Sequence, residues 1–283
     1  MKVMSLLNQV MQQVQGTRAG SGGTAGRIAV RTAGMLLILC SGHHPAAGSA
    51  CQAVDLQVLG SGGPELNDGR RSSAYLVWHA GEARVLLDAG SGSSVAFGEA
   101  GAGFADLDAV LLTHLHTDHA ADLPAFIKGS FFTARDRDLR VAGPSGNERM
   151  PGTSDFVEAL FGPGGAFRYL GSYLDGSEAY RLLPEDMPAK EAGQLRGERW
   201  HARSLPVRHG PLPAVAWRLT IGGCVIVYAG DMGAVPEGFA AFSEGADLLV
   251  LHSAIPENAG PVARSLHMTP GELVALAREA APR

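Results

Sequence analysis

The sequence predicts an α/β protein in which two sheets pack face to face with helices on their outer sides. Beyond residue 53, short apolar runs of strand length alternate with glycine-bearing turns. Helix-length segments fall between and after these runs, and no solenoid-type repeat is present. With 46% hydrophobic and 18% charged residues over 283 positions, the chain can bury a substantial core, which excludes a disordered or collagen-like class.

The front of the chain is separate in character. Residues 1–54 hold Lys2, Arg18, Arg27 and Arg31, four of the 23 basic residues, and none of the 28 acidic ones. The remainder therefore carries a net charge of −9 against −5 overall. Within this segment Arg27 and Arg31 precede an apolar run over 33–40, and a small-residue stretch ends at Gly48, Ser49 and Ala50. The order basic, apolar, small is that of a secretory signal, so residues 1–50 are expected to be a leader cleaved near Ala50, with a periplasmic or secreted product. A start site placed too far upstream would instead leave a cytoplasmic protein. The apolar run is well short of the roughly 20 residues needed for a spanning helix, so no stable membrane insertion is expected. Cys51 and Cys224 would survive cleavage and allow one optional disulfide, although Cys224 reads most simply as a small hydrophobe opening a strand.

Strands are expected at 54–59, 74–78, 84–87, 109–113, 139–142, 199–207, 214–221, 224–229 and 248–251. Turns at His79-Ala80-Gly81 and Gly222-Gly223 make hairpins of their neighbours. Helices are expected at 123–132, 154–161 and 270–280, the last opened by Thr269 as N-cap, Pro270 at the first helical position and Glu272 three after the cap. Residues 143–196, rich in Gly and Pro, read as a less regular loop-and-helix insertion.

The stretch that carries chemistry is AVLLTHLHTDHAADLPAF, residues 109–126. On an extended backbone His114 and His116 lie two apart and point the same way. The chain then turns into a helix whose first residues, Asp118 and His119, face the same cavity. Three imidazoles and a carboxylate within six residues form an N/O donor set suited to zinc, iron or manganese. His43 and His44 fall in the leader, while His79 and His201 read as surface or strand residues.

HLHTDH after a buried strand resembles the HxHxDH signature of the metallo-β-lactamase fold. Other pieces follow in the family's order over 54–283: Leu59-Gly60-Ser61-Gly62-Gly63-Pro64 with Arg70-Arg71-Ser72-Ser73, then Leu86-Leu87-Asp88-Ala89-Gly90, Val207-Arg208-His209-Gly210, Tyr228-Ala229-Gly230-Asp231, residues 246–252 and Leu266-His267-Met268-Thr269-Pro270. The opening turn and the tail resemble the ribonuclease Z branch.

The resemblance implies a four-layer αββα sandwich of two mixed sheets with outer helices over 51–283. It also implies a pair of divalent metals, zinc foremost, sharing a hydroxide that attacks a phosphodiester or related ester. It assigns His114, His116 and His209 to a first metal and Asp118 and His119 to a second, with Asp231 bridging. Asp118 and His267 would be catalytic, His267 protonating the leaving group, and Asp88 would orient the histidine loop from behind.

The family's last ligand is a His on a strand after the C-terminal helix. Here the chain stops at Ala280-Ala281-Pro282-Arg283, so a domain lacking that strand is expected, or His252 takes the ligand's place. A small ester or phosphodiester is the expected substrate, with a homodimer left open. tRNA is not expected, because nucleic-acid affinity rests on Lys and Arg neutralising phosphates and this body is acidic. The alternatives are a lactonase or β-lactamase acting on carbonyl substrates, and a metal-poor binding protein.

Overall fold

A computed structural model describes residues 51 and 53–280, together with two short strands of the front segment, β1 (Ala29–Arg31) and β2 (Leu37–Ile38). The first sheet has seven strands in the order β1, β3 (Val54–Gly60), β4 (Ala74–His79), β5 (Glu82–Leu87), β6 (Ala109–Leu111), β7 (Leu139–Pro144), β8 (Leu182–Met187). The second has six in the order β2, β13 (Leu248–Leu251), β12 (Cys224–Tyr228), β11 (Leu212–Ile221), β10 (Trp200–His209), β9 (Gly193–Arg196). Antiparallel and parallel pairs occur in both. The hairpins arise where expected: Gly222 and Gly223 both have positive φ, the conformation that a two-residue turn between twisted strands demands.

Strands β5 and β6 are buried on both faces, and three core layers follow from that. Between the sheets, Leu56, Tyr75, Val77, Val85 and Leu87 meet Trp217, Leu219, Ile226 and Tyr228. Outside the first sheet, Leu76, Leu86 and Val110 pack on helices α1 (Ser93–Glu99), α3 (Leu123–Ser130) and α4 (Thr153–Phe161). Outside the second, Ala216 and Val227 pack on α6 (Phe239–Ser243) and α8 (Pro270–Ala280) through Phe239, Phe242, Leu273 and Leu276. Helix, sheet, sheet, helix is the layered sandwich the sequence predicts.

Helix α8 starts at the capping box read from the sequence: Thr269 donates its N–H and its Oγ1 hydrogen to Glu272 Oε2, at 2.8 and 3.0 Å. Four shorter helices had no signal long enough to read, α1, α5 (Ser172–Asp175), α6 and α7 (Pro261–Leu266), whereas α2 (Thr117–Ala120) is the helix start read in the motif.

Two readings are corrected. Residues 143–196 are not merely a loop-and-helix insertion, because they supply β8 and β9, which extend one edge of each sheet. Their polar residues hid them: β8 reads Leu-Leu-Pro-Glu-Asp-Met, with only its ends buried. Cys224 is not simply a small hydrophobe, since it forms a disulfide with Cys51 across 173 positions, with Cα atoms 4.6 Å apart. In the front segment β1 pairs with β3 and β2 with β13. The remainder of the expected leader, including Gly48–Ala50, lies outside the described residues. Among the described residues no helix is long and apolar enough to cross a membrane.

Candidate metal centre

The motif strand β6 ends at Leu111, and its continuation is pinned from both sides. Leu112 donates its N–H to Ala142 O at 2.7 Å and accepts from Trp217 Nε1 at 2.9 Å, while Val215 N donates to Thr113 O at 2.9 Å. His114 therefore leaves the sheet edge at a fixed point, buried to 1% exposure. The chain next enters α2, which carries Asp118 and His119. A Cβ at Gly90 would collide with the Asp118 carbonyl, which explains the glycine closing Leu86-Leu87-Asp88-Ala89-Gly90.

Asp88 sits behind the loop, fully buried and with a left-handed φ of 59°. Its carboxylate accepts from Thr113 N (2.6 Å), Thr113 Oγ1 (2.9 Å), Tyr228 OH (2.6 Å) and His119 Nδ1 (2.7 Å). A buried carboxylate needs such donors to offset its lost hydration. The bond to His119 fixes that ring's proton on Nδ1 and turns Nε2 inward.

The same device recurs. His209, at the end of β10, donates Nδ1–H to Leu266 O at 2.8 Å. His114 Nδ1 lies 3.1 Å from Thr113 Oγ1, whose own hydrogen goes to Asp88. Both rings thus turn Nε2 toward His116 Nδ1, at 3.0 Å from His114 and 3.2 Å from His209. His119 Nε2 lies 3.6 Å from both Asp118 Oδ2 and Asp231 Oδ2, and His267 Nδ1 lies 3.6 Å from Asp231 Oδ2.

Among the described residues, donor atoms gather in three overlapping sets, each within 4.8 Å: His114, His116, His209; His114, His119, Asp231; and His209, Asp231, His267. Lone pairs aimed at one another at such range fit a cation better than hydrogen bonds, since one proton satisfies only one pair. The residues present therefore fit a divalent metal centre.

Electrostatics agree for three of the rings. Burial, reinforced by His119, pushes His114 well below the usual imidazole range, and burial also lowers His209 and His267, so all three favour the neutral form that binds metal. For His119 burial is outweighed by Asp88 and Asp231, which hold it well above that range. Burial would raise Asp231, but His119 and His252 hold it well below the carboxylate range.

The floor of a cleft of about 740 Å³ is formed by His116, Asp118, His119, His209, Asp231, His252 and His267. One wall is the loop after β3, with Pro64, Glu65 and Arg70; the other is α7 and the turn before it, with Ile255, Val262 and Leu266. His79 and His201 do not line the cleft, nor does His114, whose set lies just beneath it. Sequence reasoning missed Ser73, Tyr75 and Tyr228, whose hydroxyls surround His252. A buried phenol inside a strand has no signal to separate it from ordinary core.

A family model described as "Beta-lactamase superfamily domain" matches residues 83–283. The ribonuclease Z of Mycobacterium bovis (strain BCG / Pasteur 1173P2) is 32% identical over 212 residues, covering 71% of this chain and 70% of the relative. The chain belongs to the metallo-β-lactamase superfamily, in its ribonuclease Z-like branch. It is a metal-dependent hydrolase of that superfamily.

Solved structures agree on the fold. Human tRNase Z, short form, superposes with a TM-score of 0.65 at 18% identity, covering 80% of this chain and 89% of that one. The metallo-β-lactamase fold protein YhfI from Bacillus subtilis superposes with 0.62 at 21% identity, covering 81% and 82%. The expectation against tRNA gains no support from relatives named ribonuclease Z.

Proposed function

We propose that this superfamily hydrolase cleaves small phosphodiesters with a pair of zinc ions, outside the cytoplasm. The observation that carries the chemistry is the convergence of inward-facing imidazole nitrogens and the carboxylates of Asp118 and Asp231 on one cleft floor. Divalent cations in such a cage supply Lewis acidity and a nucleophile drawn from water near neutral pH.

The chain's own residues do the rest. His114, His116 and His209 would hold one ion, Asp118 and His119 the other, and Asp231 would reach both. Asp88 keeps the His119 proton on Nδ1, and the Leu266 carbonyl keeps the His209 proton on Nδ1. His267 stands beside Asp231 at the cleft, where it can pass a proton to a departing oxygen.

A small substrate is supported by charge. Among the described residues Arg70 is the only Lys or Arg lining the cleft, and Asp68 already engages it at 2.8 Å. A polynucleotide would need several such cations. Export is supported by the Cys51–Cys224 disulfide, since such bonds persist in oxidising compartments.

A panel of a bis-aryl phosphodiester, a precursor tRNA, a lactone and a β-lactam, assayed with and without added zinc, tests the reading. Zinc-dependent cleavage of the diester above the others is expected. Preference for the tRNA would overturn the small-substrate part, and preference for a lactone or β-lactam the phosphoryl part. Elemental analysis finding no metal would leave a binding protein. N-terminal sequencing of the natural protein tests export, and a cytoplasmic form retaining Met1 would overturn it.

A further inference from the structure

His252 follows strand β13 and faces the cleft, yet it belongs to none of the three donor sets. Both its ring nitrogens are engaged. Nδ1 lies 2.5 Å from Asp231 Oδ1. Nε2 faces three hydroxyls, Tyr75 OH at 3.3 Å and Ser73 Oγ and Tyr228 OH at 3.4 Å.

Counting hydrogens gives the bonds a direction. Tyr228 gives its hydrogen to Asp88 Oδ2 at 2.6 Å. Ser73 Oγ, 3.1 Å from the Tyr228 oxygen, can donate there. Tyr75 is the phenol left to donate to His252 Nε2, so the ring proton sits on Nδ1 and is given to Asp231. The order runs from Tyr75 to His252 to Asp231 Oδ1. Asp231 Oδ2 is left facing His119 and His267 across the cage.

We propose that His252 is a positioning residue and not a ligand: it holds Asp231 by one oxygen so that the other is presented to metal, and Tyr75 locks the tautomer that does this. The inference rests on the metallo-hydrolase reading. A ligand role would need a free nitrogen, and His252 has none. The arrangement also ties the two carboxylates together, because Tyr228 lies between His252 and Asp88, and Asp88 orients His119.

The test is a zinc titration of metal-stripped protein against a chromophoric chelator, for wild type, His252→Ala, His252→Asn and Tyr75→Phe. All four are expected to bind the same number of equivalents. His252→Ala is expected to weaken binding roughly 10–100-fold, the usual cost of losing a residue that orients a ligand. His252→Asn places an amide N–H near the former Nδ1–H and is expected to recover most of that loss. Tyr75→Phe is expected to weaken binding in the same direction and by less. Loss of a whole equivalent in His252→Ala would make His252 a ligand. Unchanged affinity, or an Asn variant no better than Ala, would remove the donor role. If Ala does not fold, the Asn and Tyr75→Phe variants decide. Wild type that takes up no zinc would sink the metallo-hydrolase reading and this inference with it, whereas zinc-binding wild type with unaffected variants would sink this inference alone.

Discussion

His114, His119 and His209 each have Nδ1 tied to an oxygen, of Thr113, Asp88 and Leu266 respectively, whereas His267, whose ring centroid lies 5.4 Å from that of His209, has a buried Nδ1 with no hydrogen-bond partner. The tied histidines are at most 2% exposed, and their inward nitrogens are set by the oxygens behind them. His267 follows the short helix α7, which has no buried residue of its own. The tied histidines are thus set in advance for their ions. His267 takes its final hydrogen bonds from what enters the cleft, which suits a group that meets substrate.

The largest expected effect tests that division directly. His116→Ala removes the donor that shares a set with the tied His114 and His209, so hydrolysis should fall below about 1% of wild type with loss of bound metal. His267→Ala should lower kcat about 100-fold or more while the metal content holds. Elemental analysis beside the assay separates the two, and a His267→Ala protein that loses an equivalent would show that His267 holds metal as well.

Asp88→Asn probes what sets the tied histidines. Its carboxylate takes bonds from Thr113, Tyr228 and His119, and the amide cannot accept all of them. Destabilisation of about 3 kcal/mol is expected from leaving buried donors unmatched. Zinc affinity should fall roughly 10–100-fold, because His119 loses its orienting acceptor. Thermal melts and chelator competition measure the two separately.

The same contrast governs what the sequence made legible. His114, His116, Asp118 and His119 lie within six residues of one another on a strand end and helix start, so local geometry alone brings them together. His209 and Asp231 join them only through sheet pairing, and family resemblance supplied what spacing could not. Ser73, Tyr75 and Tyr228 were illegible, because a strand that is apolar on both faces hides a phenol turned toward a site. The edge strands β8 and β9 were hidden by polar, proline-bearing sequence, and Cys224 by the distance of its partner Cys51. Long-range pairings that no local pattern encodes make up most of what was missed.

The Cys51–Cys224 disulfide lies at the opposite end of β12 from Tyr228, the end that leads to Asp231. Cys224→Ser should therefore cost roughly 2–5 kcal/mol by freeing a long loop in the unfolded chain. At about 2–4 °C per kcal/mol for a domain of this size, the melting midpoint should drop by roughly 10 °C. Activity per folded molecule at 25 °C should not change. Loss of activity below the melting range would mean that the far end of the strand is coupled to the centre.

The smallest effect concerns the support beneath His267. Helix α8 begins at Pro270, three residues after that imidazole, and Glu272 holds the start by accepting from Thr269 N and Oγ1. The Thr269 N–H is the main reason the Glu272 carboxyl is held below its ordinary range, with Arg264 at 2.9 Å adding a screened contribution at the surface. A depressed folded value means that the stabilisation is present above the unfolded carboxyl's value and lost as pH falls through the folded one. Glu272→Ala should cost about 0.5–1 kcal/mol at pH 7, the usual worth of a cap, and the difference from wild type should shrink toward zero below about pH 4. Melting midpoints of both proteins across pH 3–7 give the comparison. If α8 sets the position of His267, kcat should fall with that small loss of stability while zinc affinity does not move; if kcat stays constant as well, His267 is placed by α7 and the cleft alone.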